Sequence, residues 1–168
     1  MLGYVIANFM LAVLPPTRLF GLKRMLLNRL GVRVGKGTSV CGGVRFYGAG
    51  RIIIGEACWI GLNCKFYTSK GADVTIGDRC DIAPDARFVC GTHDIGGAAR
   101  RAGTGRSSPI RVSSGTWIGT GSIVLGGAEI GEASVVGAGA VVLSQAFEPS
   151  SLLIGVPARV ARQLGGQR

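Results

Sequence analysis

The sequence predicts an all-β fold, a parallel β-helix built from hexapeptide repeats, preceded by a short helical segment. Two observations carry this. The stretch from Val112 to Phe147 divides into six consecutive hexads opening on Val112, Ile118, Val124, Ile130, Val136 and Val142. Their fifth residues are all small: Thr116, Ser122, Ala128, Ser134, Ala140 and Ala146. A fixed short period of this kind marks a solenoid. The opening aliphatic points into a triangular prism, and the fifth residue faces inward where a corner leaves little room. Ser113, Gly119, Gly131 and Gly137 hold four of the six second positions; glycine near a corner takes backbone angles that other residues resist. Three hexads make a coil of roughly 18 residues, and stacked coils cover one another's edges through parallel hydrogen bonds. An α-helix does not keep one face at a period of six.

A chain of 168 residues fits one domain with an appendage. Apolar residues make up 47% and charged residues 17%, with 29 glycines; combined with the repeat, this is a packed core rather than low complexity. The net charge of +10 points to an anionic partner such as a phosphorylated cofactor or a membrane face. Nucleic acid ranks last among such partners and is not expected, because aromatics are 7% and no nucleic-acid-binding motif occurs. Cys58, Cys64 and Cys80 fall at fifth, inward positions of hexads opening on Ile54, Ile60 and Ile76, so they read as small buried hydrophobes. With no Cys-x-x-Cys and a single histidine, no metal is expected. Reduced thiols suit a cytoplasmic location.

In chain order, residues 1–31 form an apolar and basic helical cap, and residues 32–168 the β-helix. Met1 to Pro16 is apolar but too short to span a bilayer, and it lacks the marks of a secretory signal. Thr17 caps a second helix running to about Leu30, whose Arg18, Lys23, Arg24 and Arg29 accompany seven large apolar residues. That segment either covers the first open coil or lies on an anionic membrane at its inner face. Repeats begin at Val34, slip by two residues near Ile52, break between Tyr67 and Asp73, and resume at Ile76. An irregular excursion loop occupies about 94–109, directly after His93. A repeat-like opening at Ile154 leads into a short basic C-terminal tail.

His93 is the only side chain here that ordinarily titrates near neutrality, and it stands where the coil gives way to a loop. A general base working on a hydroxyl has that property. Asp94 adjoins it, but neighbours on an extended chain point opposite ways.

The hexads, Gly91-Thr92-His93-Asp94, the Trp117-Ile-Gly-Thr-Gly segment, Val136-Gly-Ala-Gly-Ala and the closing Gly155-Val-Pro-Ala-Arg159 resemble the left-handed β-helix acetyltransferases, closest to the galactoside/maltose O-acetyltransferases and the polysaccharide-biosynthesis acetyltransferases. The resemblance covers about Val34 to Arg162. It implies a left-handed coil, acetyl-coenzyme A as co-substrate, a homotrimer with sites between subunits, and a sugar or lipid-linked sugar acceptor. His93 matches the family's general base. Asn63 matches an asparagine that lies beside that base from an earlier coil and binds the acceptor. Trp117 matches a tryptophan near the reactive end of the coenzyme. Thr120 and Ala138 match residues along the pantetheine arm, and Arg159 and Arg162 match basic residues near the nucleotide end. Two departures stand out. Leu143-Ser144 replaces the family's Thr-Lys, removing a phosphate contact, and His93-Asp94 replaces His-Pro, so acceptor identity does not carry over. Three alternatives are weighed. A γ-type carbonic anhydrase needs several histidines for zinc and is ruled out. N-acetylation of an amino sugar, and a non-catalytic β-helix acting as an assembly module, stay open.

Overall fold

The computed structural model describes residues 2–165. Two helices come first, α1 (Leu2–Val13) and α2 (Phe20–Arg29). The first coil is β1 (Val32–Val34), β2 (Ser39–Val40) and β3 (Arg45–Tyr47). The second is β4 (Ile52–Ile54), β5 (Trp59–Ile60) and β6 (Lys65–Tyr67). The third is β7 (Val74–Ile76), β8 (Asp81–Ile82) and β9 (Arg87–Val89). An excursion, β10 (Gly91–Ile95) and β11 (Ala102–Ser107), interrupts the winding. The fourth coil is β12 (Ile110–Val112), β13 (Trp117–Ile118) and β14 (Ile123–Leu125). The fifth is β15 (Glu129–Ile130), β16 (Val135–Val136) and β17 (Val141–Val142). β18 (Ala146–Phe147), β19 (Ser151–Gly155) and β20 (Ala158–Gln163) end it. First, second and third strands of successive coils pair into three sheets, here faces A, B and C of a prism; β20 alone returns antiparallel, on β19.

Register explains the core. Val34, Ile54, Ile76, Val112, Ile130 and Phe147 sit one above the next on face A, all buried. On face C the inner column is Phe46, Phe66 and Phe88, whose rings stack at 5.5 and 4.9 Å. Like side chains one rung apart, ~4.8 Å, stack along the interior. Five of the six small fifth residues are buried as expected. The inward hydroxyls are satisfied; Ser122 Oγ, for example, donates to the Gly119 carbonyl at 2.8 Å.

Several expectations are corrected. Ala146 is exposed, because the last hexad is one residue short and Phe147 takes the inward place beneath the end of the prism. The second-position glycines are needed for close approach rather than for unusual angles. A Cβ on Gly119 would meet the Ala138 nitrogen at 2.5 Å, while left-handed backbone falls at the fourth position, where Ala133 and Asp85 also adopt it. The excursion is no irregular loop but a hairpin that starts at Gly91. The two-residue slip near Ile52 leaves Ile52 and Ile54 both facing inward.

The helices close the open first coil. Asn8 of α1 donates Nδ2 to the Phe46 carbonyl (2.9 Å) and accepts the Phe46 amide (2.8 Å), standing in for the missing strand beneath β3. Asn28 of α2 does the same for Val34, at 3.0 and 3.1 Å. The second helix starts at Phe20 rather than Thr17, since Leu19 precedes it in left-handed backbone (φ 58°) with no side-chain cap. Lys23, counted above among the membrane-facing cations, is buried instead. Its ammonium donates to the carbonyls of Pro15 (2.8 Å) and Pro16 (3.0 Å), and desolvation holds its pKa below the ordinary value.

Candidate active site

The chain leaves the prism where face C meets face A. Cys90 is still tied to the coil through its amide on the Tyr67 carbonyl (2.9 Å), and Ser108 returns to bond the Cys90 carbonyl at 3.0 Å. Between them β10 and β11 pair antiparallel, with Thr92 opposite Arg106 and His93 opposite Gly105. The hairpin stands clear of the coil, exposed on both sides, and Ile95 near its tip is 91% exposed. The His93 imidazole is exposed and makes no hydrogen bond among the described residues. Asp94 does not orient it. Its carboxylate pairs with Arg106 at 2.6 Å instead, as alternation along a strand requires. At the hairpin's root lies a cavity of about 260 Å³ lined by Gly91, Thr92, Leu125, Gly126, Leu143 and Ser144. Leu143 and Ser144, the departures from the family pattern, thus stand beside the histidine-bearing strand.

The next corner, where face B meets face C, gathers a second set. Asn63 turns the chain from β5 into β6 in left-handed backbone (φ 60°). Gly43, one coil below, leaves room that a Cβ would take from the Asn63 amide. Thr120 and Ala138 occupy the corresponding turns higher up, and the Thr120 carbonyl accepts the Gly139 amide at 2.8 Å. Trp117 projects from face B in register between Asp81 and Val135, 54% exposed. Arg159 and Arg162 lie on β20 opposite Ile154 and Leu152, over the end of face B.

Asn63, Thr120, Ala138 and Arg159 therefore share one corner of the prism, with Trp117 and Arg162 on the adjoining face. His93 lies across the full width of face C, on the order of 15–20 Å away at ~3.3 Å per extended residue. Within one chain Asn63 does not lie beside His93, contrary to expectation. The candidate residues of one chain fall into two groups, on different corners.

Face C between those corners bears a feature the repeat pattern did not announce. Arg45, Lys65 and Arg87 point outward in one register column, and Tyr47 and Tyr67 form the neighbouring column, stacked at 4.9 Å. Arg45 donates to the Asn8 carbonyl. None of the three cations has an acidic partner among the described residues. Like charges one rung apart repel, and no carboxylate among the described residues offsets that along this column.

The cysteines lie inside the prism. All five are free and buried, and burial pushes the Cys64 thiol up to about 12 and Cys90 to about 11. Among the described residues no group of three or more His, Cys, Asp or Glu is placed to hold a metal ion.

Comparison with known proteins accounts for this architecture. Residues 109–144 match the bacterial transferase hexapeptide (six repeats) family, and a β-helix of that class is what the coils form. Galactoside O-acetyltransferase of Escherichia coli K12 is 31% identical over 142 residues, 84% of this chain and 68% of that one. A Schizosaccharomyces pombe protein named as an acetyltransferase is 37% identical over 110 residues, 66% of this chain. The match spans about half the length of that relative, 52%, and of a Staphylococcus aureus one, 56%. Among solved structures, a hexapeptide-repeat acetyltransferase of Vibrio cholerae, complexed with acetyl-coenzyme A, superposes with a TM-score of 0.79 at 28% identity, covering 98% of this chain and 86% of that one. An N-acyltransferase from Bacillus cereus, 17% identical with a TM-score of 0.67, shares the fold. The chain belongs to the hexapeptide-repeat acetyltransferase family.

Proposed function

We propose that the protein is an acetyl-coenzyme A–dependent O-acetyltransferase acting on a sugar or polysaccharide-precursor hydroxyl. The observation that carries this reading is the placement of the sole imidazole on a hairpin at one corner, with Asn63, Thr120, Ala138 and Arg159 aligned on the next. A homotrimer in which the C–A corner of one protomer meets the B–C corner of its neighbour closes the two halves into one groove. The exposed hairpin supports this, since an isolated two-stranded ribbon is marginal in water without a surface to rest on.

In that groove His93 takes the proton of the acceptor hydroxyl as its oxygen bonds to the acetyl carbon. The carbon–sulfur bond then breaks, and His93 returns the proton to the departing thiolate. Acetyl-coenzyme A supplies the activated acyl group. Asn63 holds the acceptor, Trp117 covers the reacting end, and Thr120 and Ala138 flank the pantetheine arm. Arg159 and Arg162 meet the phosphates in place of the lysine that Ser144 replaces. Base catalysis contributes ~10²–10⁴-fold, and positioning two bound reactants contributes more. The unpaired column of Lys65 and Arg87, beginning beside Asn63, favours an acceptor that carries a phosphate, as a nucleotide-linked or lipid-linked sugar does. Five reduced, buried thiols fit a cytoplasmic enzyme.

The test is coenzyme A release across a panel of free sugars, sugar phosphates, nucleotide sugars and their amino counterparts. Release with a hydroxyl acceptor, strongest when it is phosphorylated, supports the reading. Release only with amines makes it an N-acetyltransferase, and no release with any acceptor removes the assignment.

A further inference from the structure

The capped end of the prism carries an apolar surface that the reaction does not use. On α1, Tyr4, Ala7, Asn8 and Leu11 face the coil. The opposite side presents Leu2, Val5, Ile6, Phe9 and Val13 to solvent, each between 45% and 73% exposed. Spacings of three, four and seven place these on one stripe of the helix. Leu19, Leu22 and Met25 of the α2 segment are also exposed at this end. Among the described residues no helix is long and apolar enough to cross a bilayer.

Charge says what covers the stripe. Residues 1–55 contain eight Lys and Arg and no Asp or Glu, whereas the whole chain's net charge is +10. Nearly all the excess charge therefore sits in the cap and the first coils. Lys23 is buried and Arg51 is paired with Asp73 at 2.8 Å. Arg18, Arg29, Arg33 and Lys36 are exposed, and none has an ion pair among the described residues. A second copy of this end would bring like charge against like charge. An anionic bilayer satisfies both features: its headgroups meet the cations and its acyl boundary takes the stripe.

We propose that this end of the prism docks peripherally on an anionic membrane, with α1 lying in the interface. This corrects the sequence-level expectation that the stretch from Thr17 to Leu30 is the membrane element. The structure buries Lys23, on the carbonyls of Pro15 and Pro16, and packs Leu27 into the core, and it leaves the wider apolar face on α1. The proposal stands independently of acetyl transfer, although docking at a membrane would bring a lipid-linked acceptor within reach.

The test is co-flotation of the full chain with vesicles of phosphatidylcholine alone or mixed with phosphatidylglycerol, at low and high salt. Binding is expected to the mixed vesicles and to weaken as salt screens the headgroups. V5Q/F9Q and R18E/R29E are each expected to lower partitioning by about tenfold or more, since each cation near such a surface is worth ~1 kcal/mol. Both pairs change exposed side chains only, and sedimentation of each variant should match that of the parent. Failure of the parent to bind mixed vesicles at low salt would overturn the proposal. So would undiminished binding by V5Q/F9Q, or a change in its oligomeric state, which would make the stripe a contact between copies of this chain.

Discussion

His93 has no substitute, because no other imidazole exists in the chain. Its exposure on a hairpin frees it from any packing role, so His93→Ala and His93→Asn should fold normally, with unchanged melting temperature. Each should lose acetyl transfer by ~10²-fold or more, measured at saturating coenzyme. Retained turnover would remove the base from the mechanism. Arg159 and Arg162 lie on β20, where the proposed reading sets them against the coenzyme's phosphates. Replacing both with Ala should raise the coenzyme's apparent KM and leave the acceptor's KM unchanged, and high salt should shrink the difference. Dephospho-coenzyme A should respond less than coenzyme A. The imidazole and the arginines were visible in the sequence as types and spacings. The Arg45–Lys65–Arg87 column was not, because its members are 20 and 22 residues apart, and coils of unequal length hide a register that only hydrogen bonding reveals.

At the scale of elements, the cap depends on two asparagines that mimic strands. Asn8→Ala leaves the amide and carbonyl of buried Phe46 without partners and should cost about 2–4 kcal/mol, seen as a lowered denaturant midpoint. Asn8→Asp keeps the acceptor and loses the donor, so it should fall between. Asn28→Ala should behave similarly at Val34. Neither residue stands out in a helix read for apolar periodicity, since a polar residue on the inward face looks like an interruption. The inner cysteines, by contrast, were legible as small hydrophobes from their hexad positions, and their chemistry follows from burial. A thiol raised in the folded state keeps its proton while the unfolded chain loses it. The stability contributed by Cys64 and Cys90 is therefore complete below about pH 8.5 and declines as pH climbs toward their folded values of about 12 and 11. The limiting slope is about 1.4 kcal/mol per pH unit for each thiol. Denaturation series from pH 7 to about 10 should show this decline, less steeply in Cys64→Ala.

For the whole molecule, the repeat made the prism legible because each hexad reports its own inward residue, whereas the distance between corners was not. Asn63 and His93 are 30 residues apart in the chain and were expected side by side. Counting strands shows them at opposite edges of face C, since Asn63 precedes β6 and His93 follows β9. If both residues act on one acceptor, as proposed, a neighbouring protomer has to supply one of them. In a cyclic trimer every site then takes its imidazole from one chain and its amide from the next. This predicts complementation between two impaired variants. Asn63→Ala supplies an intact histidine and His93→Ala an intact asparagine. If the two are unfolded together, mixed equally and refolded, random assembly places an intact pair at about one quarter of the sites. Acetyl transfer should recover to about one quarter of the parent's rate, and sedimentation should report a trimer throughout. A site built within one chain would give only the average of the two separate variants, and a fully active monomer would rule out the shared groove. Mixing the folded variants without unfolding serves as the control, because no recovery is expected until subunits exchange.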